Sequence, residues 1–157
     1  MSAEARSAEA KLSELGIVLP GPPKAMGSYV TLKTHGGLAY AAGHSPMRQD
    51  GSLIVGRVGE EFDVEQAKGI ARLIGLEMFA TLQEQLGSLD RVTSVIKVLG
   101  FVNAVQGFDL HPAVINGCSD LFVEVFGDSG RHARSAVGAG SLPGNIPVEI
   151  EAVFAYE

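Results

Sequence analysis

The chain has 157 residues, 46% of them hydrophobic and 19% charged, with a formal net charge of −6. This is enough apolar side chain for one packed domain spanning 1–157 and too much for a disordered tail. An acidic chain with no run of lysine or arginine lacks the positive surface that nonspecific nucleic-acid binding requires.

Ser7 to Leu15 reads as a short helix with Leu12 and Leu15 on its apolar edge and Gly16 at its end, and residues 1–28 form an N-terminal helix and loop extension. Pro20-Gly21-Pro22-Pro23 interrupts any regular structure. Tyr29–Thr34 and Leu38–Ala42 are predicted as strands flanking His35-Gly36-Gly37, a hairpin signal. A turn at Gln49–Ser52 precedes a further strand over Leu53–Val58. Asp63 to Leu86 is the clearest helix. Asp63 caps it, with Gln66 completing a capping box, and Ile70, Ile74, Met78, Leu82 and Leu86 recur every fourth position. Val92–Val102 is rich in valine and isoleucine on both faces, as in a central strand with a subunit against its second face. Pro112 opens a second helix at its first position, with Ile115, Cys118, Phe122 and Val125 on one face and Gly127 as its stop. Two last strands, over Ala133–Val137 and Val148–Phe154, read as a hairpin around Pro143-Gly144-Asn145. Two main helices against one mostly antiparallel sheet make an α+β sandwich.

The single cysteine, Cys118, excludes an internal disulfide and a cysteine-rich zinc site, which suits a reducing compartment. His35, His44, His111 and His132 show no HxH or HxxxH spacing, so no metal is expected. The first eleven residues carry no apolar signal core, and no apolar run reaches membrane-spanning length. A cytoplasmic protein with no membrane association is the expectation.

The densest chemistry lies in the last quarter, where Arg134, Glu149 and Glu151 sit among apolar residues. A guanidinium and a carboxylate in such a setting are costly unless paired with each other or with a ligand. An Arg134–glutamate ion pair closing the sheet edge and a ligand-binding Arg134 are the two readings. Strand alternation places both glutamates opposite Val148, Ile150 and Ala152. For Glu151 that solvent face is a sufficient account. Arg131, His132 and Arg134 form a small positive cluster, either a solvated loop or a site suited to a carboxylate or phosphate. His44 is either an acid or base lining a cleft or a surface-loop histidine. Tyr29 and Asn116 have plain alternatives in strand packing and helix-start hydrogen bonding.

The sequence of motifs Ser28-Tyr29, Ala42-Gly43-His44-Ser45-Pro46, Val64-Glu65-Gln66-Ala67, Lys97 to Val102, Asn116, Ala133-Arg134-Ser135 and Val148-Glu149-Ile150-Glu151-Ala152 resembles the Rid/YjgF family, the reactive-intermediate imine deaminases formerly called L-PSP endoribonucleases. The resemblance runs from about Tyr29 to Phe154 and implies a chorismate-mutase-like homotrimer with ligand clefts between subunits. It implies no cofactor and a small carboxylate-bearing metabolite as partner. It assigns Arg134 to the substrate carboxylate and Glu149 to the attacking water, with Tyr29, Gly43, His44 and Asn116 lining the cleft. The implied activity is hydrolytic deamination of 2-imino acids. The alternatives are a non-catalytic carboxylate-binding protein of the same fold and the older ribonuclease, a translation inhibitor. Ala136 stands where many members carry cysteine, and His44 where many carry glutamine. The stretch Gly127–His132 and the extension before Tyr29 also depart from the compact deaminases. They mark a longer, less characterised branch.

Overall fold

A computed structural model describes residues 7–157. Its elements are helix α1 (Ala8–Glu14), strands β1 (Leu32–His35) and β2 (Leu38–His44), helix α2 (Val64–Leu86), strand β3 (Val92–Asn103), helix α3 (His111–Phe126) and strands β4 (Ala133–Ala139) and β5 (Val148–Tyr156). They form one five-stranded sheet in the order β1-β2-β5-β3-β4. Only β3 and β4 run parallel; every other pairing is antiparallel.

The local signals for α2 act as the sequence dictates. The Asp63 side chain accepts from Gln66 N at 2.8 Å, and the Gln66 side chain accepts from Asp63 N at 2.9 Å. Gly87 ends the helix at φ 90°, a left-handed conformation that glycine adopts without steric cost. The buried side of α2 meets α3 and the sheet, and Phe122 stacks between Phe79 (centroids 5.3 Å apart) and Phe154 (5.6 Å). Two glycines set how closely the layers approach. A Cβ on Gly117 of α3 would lie 1.9 Å from the Lys68 carbonyl oxygen of α2, and one on Gly100 of β3 would lie 2.5 Å from Ile115 Cδ1. With hydrogen at both positions, α3 is wedged against α2 and flat on the sheet, and its first turns stand over β4.

The register divides the sheet into two faces. Val98 and Gly100 lie opposite Ala152 and Ile150 on β5 and opposite Arg134 and Ala136 on β4, facing the helices. Leu99 and Phe101 lie opposite Glu151 and Glu149, facing away from the helices. Tyr40, Val137 and Val153 share that helix-free face, and Tyr40 and Val137 are exposed.

Four sequence expectations are corrected. The last two strands do not form a hairpin, because β3 lies between them and pairs with both. The 140s therefore cross the end of β3. Asn103 pins that crossing, donating to Asn145 Oδ1 at 3.0 Å and to the Ile146 carbonyl at 3.1 Å. The first strand begins at Leu32; Tyr29 lies in a bend, where its hydroxyl accepts from Met26 N at 3.1 Å. Leu53–Val58 is not a strand and makes only single bridges, Met47 to Leu53 and Val58 to Phe62 and Ala104. Gly56 within it takes φ 139°, a backbone conformation incompatible with an extended ladder. Helix α3 begins at His111, with Pro112 one residue inside it.

Among the described residues, no helix is long and apolar enough to cross a membrane.

Candidate functional site

Arg134 projects from β4 toward α3. Its Nη1 donates to Asn116 Oδ1 at 2.6 Å and to Ser119 Oγ at 3.2 Å. Asn116 and Ser119 are three residues apart and therefore share a face of α3. Among the described residues, Nε and Nη2 of Arg134 make no hydrogen bond, and no ion pair involves Arg134. The edge-closing ion pair with Glu149 or Glu151 is absent. One nitrogen is tethered and the other two are left with unused N–H groups, a geometry that suits bidentate recognition of a carboxylate.

Ser119 also contacts His132, with Oγ and Nε2 2.9 Å apart, and His132 Nδ1 lies 2.7 Å from the Gly130 carbonyl. A carbonyl only accepts, so Nδ1 carries the proton. Burial lowers the His132 pKa, the Gly130 carbonyl opposes this, and the Arg134 charge lowers it further. The positive cluster expected at 131–134 is thus divided. His132 turns inward as a neutral ring, while Arg131 is solvent-exposed and pairs with Asp128 at 3.5 Å. The roles of Ser119 and His132 were not assigned from sequence. The available signals were the i, i+3 spacing from Asn116 and the period-two spacing from His132 to Arg134.

Glu149 lies elsewhere. It sits on the helix-free face of β5, half-buried, and burial first and the Glu151 charge second raise its pKa. Gly43 adjoins it: a Cβ there would stand 3.0 Å from both Cδ and Oε2 of Glu149. The Met26–Tyr29 bend lies near this end of β2, with Met26, Thr31 and Gly43 lining a common small cavity. The predicted residues therefore fall into two groups. Arg134 and Asn116 lie under α3, whereas Glu149 and Gly43 lie on the opposite face of the sheet, near the Tyr29 bend.

His44 corrects one of the two sequence readings. It ends β2 on the helix side with 3% of its surface exposed. Nδ1 contacts the Ala42 carbonyl at 2.6 Å, Nε2 contacts Thr81 Oγ1 at 2.9 Å, and burial lowers its pKa. It is not a surface-loop histidine; with Gly43 and Thr31 it lines the small cavity beside the Met26–Tyr29 bend. Cys118 is fully buried, and burial pushes its thiol far up, so it is no nucleophile. Among the described residues, no three His, Cys, Asp or Glu side chains converge as metal ligands would.

One titratable residue escaped the sequence reading altogether. Glu77 of α2 is 2% exposed. Its Oε1 accepts from Met47 N at 2.8 Å, while Oε2 has no partner among the described residues. Burial raises its pKa to about 8.

A family model described as "YjgF/chorismate mutase-like, putative endoribonuclease" matches residues 9–154. The chain belongs to this Rid/YjgF/L-PSP family, and its sheet and helices have the family's α+β, chorismate-mutase-like fold. It is 37% identical over 145 residues to protein TCP17 of Trypanosoma cruzi, covering 92% of this chain and 91% of that one. It is also similar to the structure of protein Atu1372 from Agrobacterium tumefaciens, with a TM-score of 0.85 and 39% identity, covering 97% of this chain and 93% of that one. E. coli TdcF, solved with bound serine, gives a TM-score of 0.59 and 25% identity, covering 87% of this chain and 94% of TdcF.

Proposed function

We propose that this protein hydrolyses 2-imino acids to keto acids and ammonia, in clefts between the subunits of a homotrimer. The observation that carries this reading is the free edge of Arg134, tethered through Nη1 alone and unpaired with any described carboxylate. A family member with bound serine, TdcF, supports a small amino or imino acid as the ligand class. Arg134 holds the substrate carboxylate. Glu149 takes a proton from water as the oxygen adds to the C=N carbon. Glu149 returns that proton to the nitrogen, and the tetrahedral intermediate collapses to the keto acid as its hydroxyl proton passes, through Glu149, to the amino group that leaves as ammonia. A half-buried carboxylate with a raised pKa is a better base near neutral pH than an exposed one. Because Arg134 and Glu149 occupy opposite faces of one sheet, the cleft combines the Arg134 group of one copy with the Glu149 and Tyr29 group of the next.

The test is ammonia release from imino acids generated in situ by an amino-acid oxidase. Wild type accelerates it. Arg134→Ala loses about a hundredfold in kcat/KM, as expected when a charge-assisted pair is removed. Glu149→Gln keeps ligand binding and loses rate. A wild type inactive across several imino acids sinks the proposal. The separation of Arg134 from Glu149 within one chain favours a second reading, a binding protein without turnover. A carboxylate that stabilises the protein against heat with no ammonia released identifies that case. Cleavage of RNA by pure protein, lost in Arg134→Ala, would instead support the older ribonuclease label.

A further inference from the structure

The contacts behind Arg134 form a directional chain. The Gly130 carbonyl takes the Nδ1 proton of His132, which leaves the neutral ring with a lone pair at Nε2. The Ser119 hydroxyl then donates to Nε2 and turns its own lone pairs toward Arg134 Nη1, 3.2 Å away. With the opposite tautomer, the Nδ1 lone pair would face the Gly130 carbonyl oxygen. The chain is anchored at its far end. A Cβ on Gly130 would lie 2.2 Å from the Phe122 carbonyl oxygen, so the turn sits directly on α3, and Phe122 packs edge-on against the His132 ring at 5.9 Å.

We propose that Ser119 and His132 are positioning residues for Arg134. This rests on the reading of Arg134 as the carboxylate fork. The neutral ring fixes Ser119 as an acceptor and so fixes which guanidinium nitrogen is tethered. Helix α3 presents Ser119 and Phe122 to the ring, and β4 presents Arg134. Asp128 and Arg131 in the preceding turn pair with each other, and the α3 carboxylates Asp120 and Glu124 pair with Lys68 and Arg72 of α2.

The experiment titrates the full chain with pyruvate by calorimetry at neutral pH. Ser119→Ala weakens binding about tenfold, the scale of one hydrogen bond to a charged group. His132→Phe keeps the ring packing and weakens binding similarly. His132→Gln supplies an acceptor toward Ser119 and recovers affinity. Wild-type affinity in Ser119→Ala or His132→Phe, or a His132→Gln that binds no better than His132→Phe, overturns the inference alone. Pyruvate binding that is absent, or equal in Arg134→Ala, overturns the fork reading and this inference with it. Ser119→Ala removes one oxygen on an otherwise unchanged helix face, so it decides the matter if the ring variants misfold.

Discussion

At the residue scale, buried polar groups carry the information, and the sequence hid most of it. His44, Glu77, Ser119 and His132 are ordinary letters in ordinary places. Their consequences come from what the tertiary packing sets beside them: Thr81 for His44, Met47 N for Glu77, and Arg134 behind Ser119 and His132. Glu77 gives a direct prediction. Its folded pKa is raised to about 8 from an ordinary value of 4.5. Between those two values the folded state holds a proton that the unfolded state has lost. Stability therefore falls as pH rises through that window and levels off above it. Glu77→Gln cannot ionise and removes this slope. Denaturant melts of both proteins at pH 5 and pH 8 should diverge by about 1–3 kcal/mol, with wild type relatively weaker at pH 8. Parallel behaviour at both pH values would show that the carboxyl is not hidden from water.

At the element scale, helices were legible and strand partnerships were not. The Asp63–Gln66 box, the four-residue stripe of α2 and the stop at Gly87 are local signals, and local contacts realise them. The pairing of β4 is nonlocal. Nothing within Ala133–Phe154 states that β3 will occupy the place between its two strands. The turn at Pro143–Asn145 lies between two antiparallel strands that are not neighbours, because β3 stands between them. Helix contact is also encoded in small residues whose purpose shows only in three dimensions. Gly117 lets the α2 backbone come within touching distance, with no flexible side chain available to yield. Gly117→Ala should therefore cost about 3 kcal/mol or more, since the strain of overpacking must be relieved by moving a whole helix. Because Asn116 and Ser119 ride on the same helix, its displacement also disturbs the tether on Arg134. Thermal melts and pyruvate titration of this variant should both decline. A melting temperature equal to wild type would refute the wedge.

At the scale of the whole molecule, the family and the α+β fold were readable from motif order, whereas the division of the predicted site was not. A linear motif lists Arg134 and Glu149 fifteen positions apart and says nothing of a sheet standing between them. The proposed assembly predicts complementation. Arg134→Ala and Glu149→Gln chains, each inactive alone, regain about a quarter of wild-type activity when refolded together at equal amounts, if each cleft draws its two halves independently. No recovery on mixing would place both residues in the service of a single chain, or of no reaction at all. In the proposed assembly, the two-faced sheet leaves a solitary chain owning only half of each of two clefts. Abundance then acts as a gate for that assembly: function begins only when there are enough chains to meet.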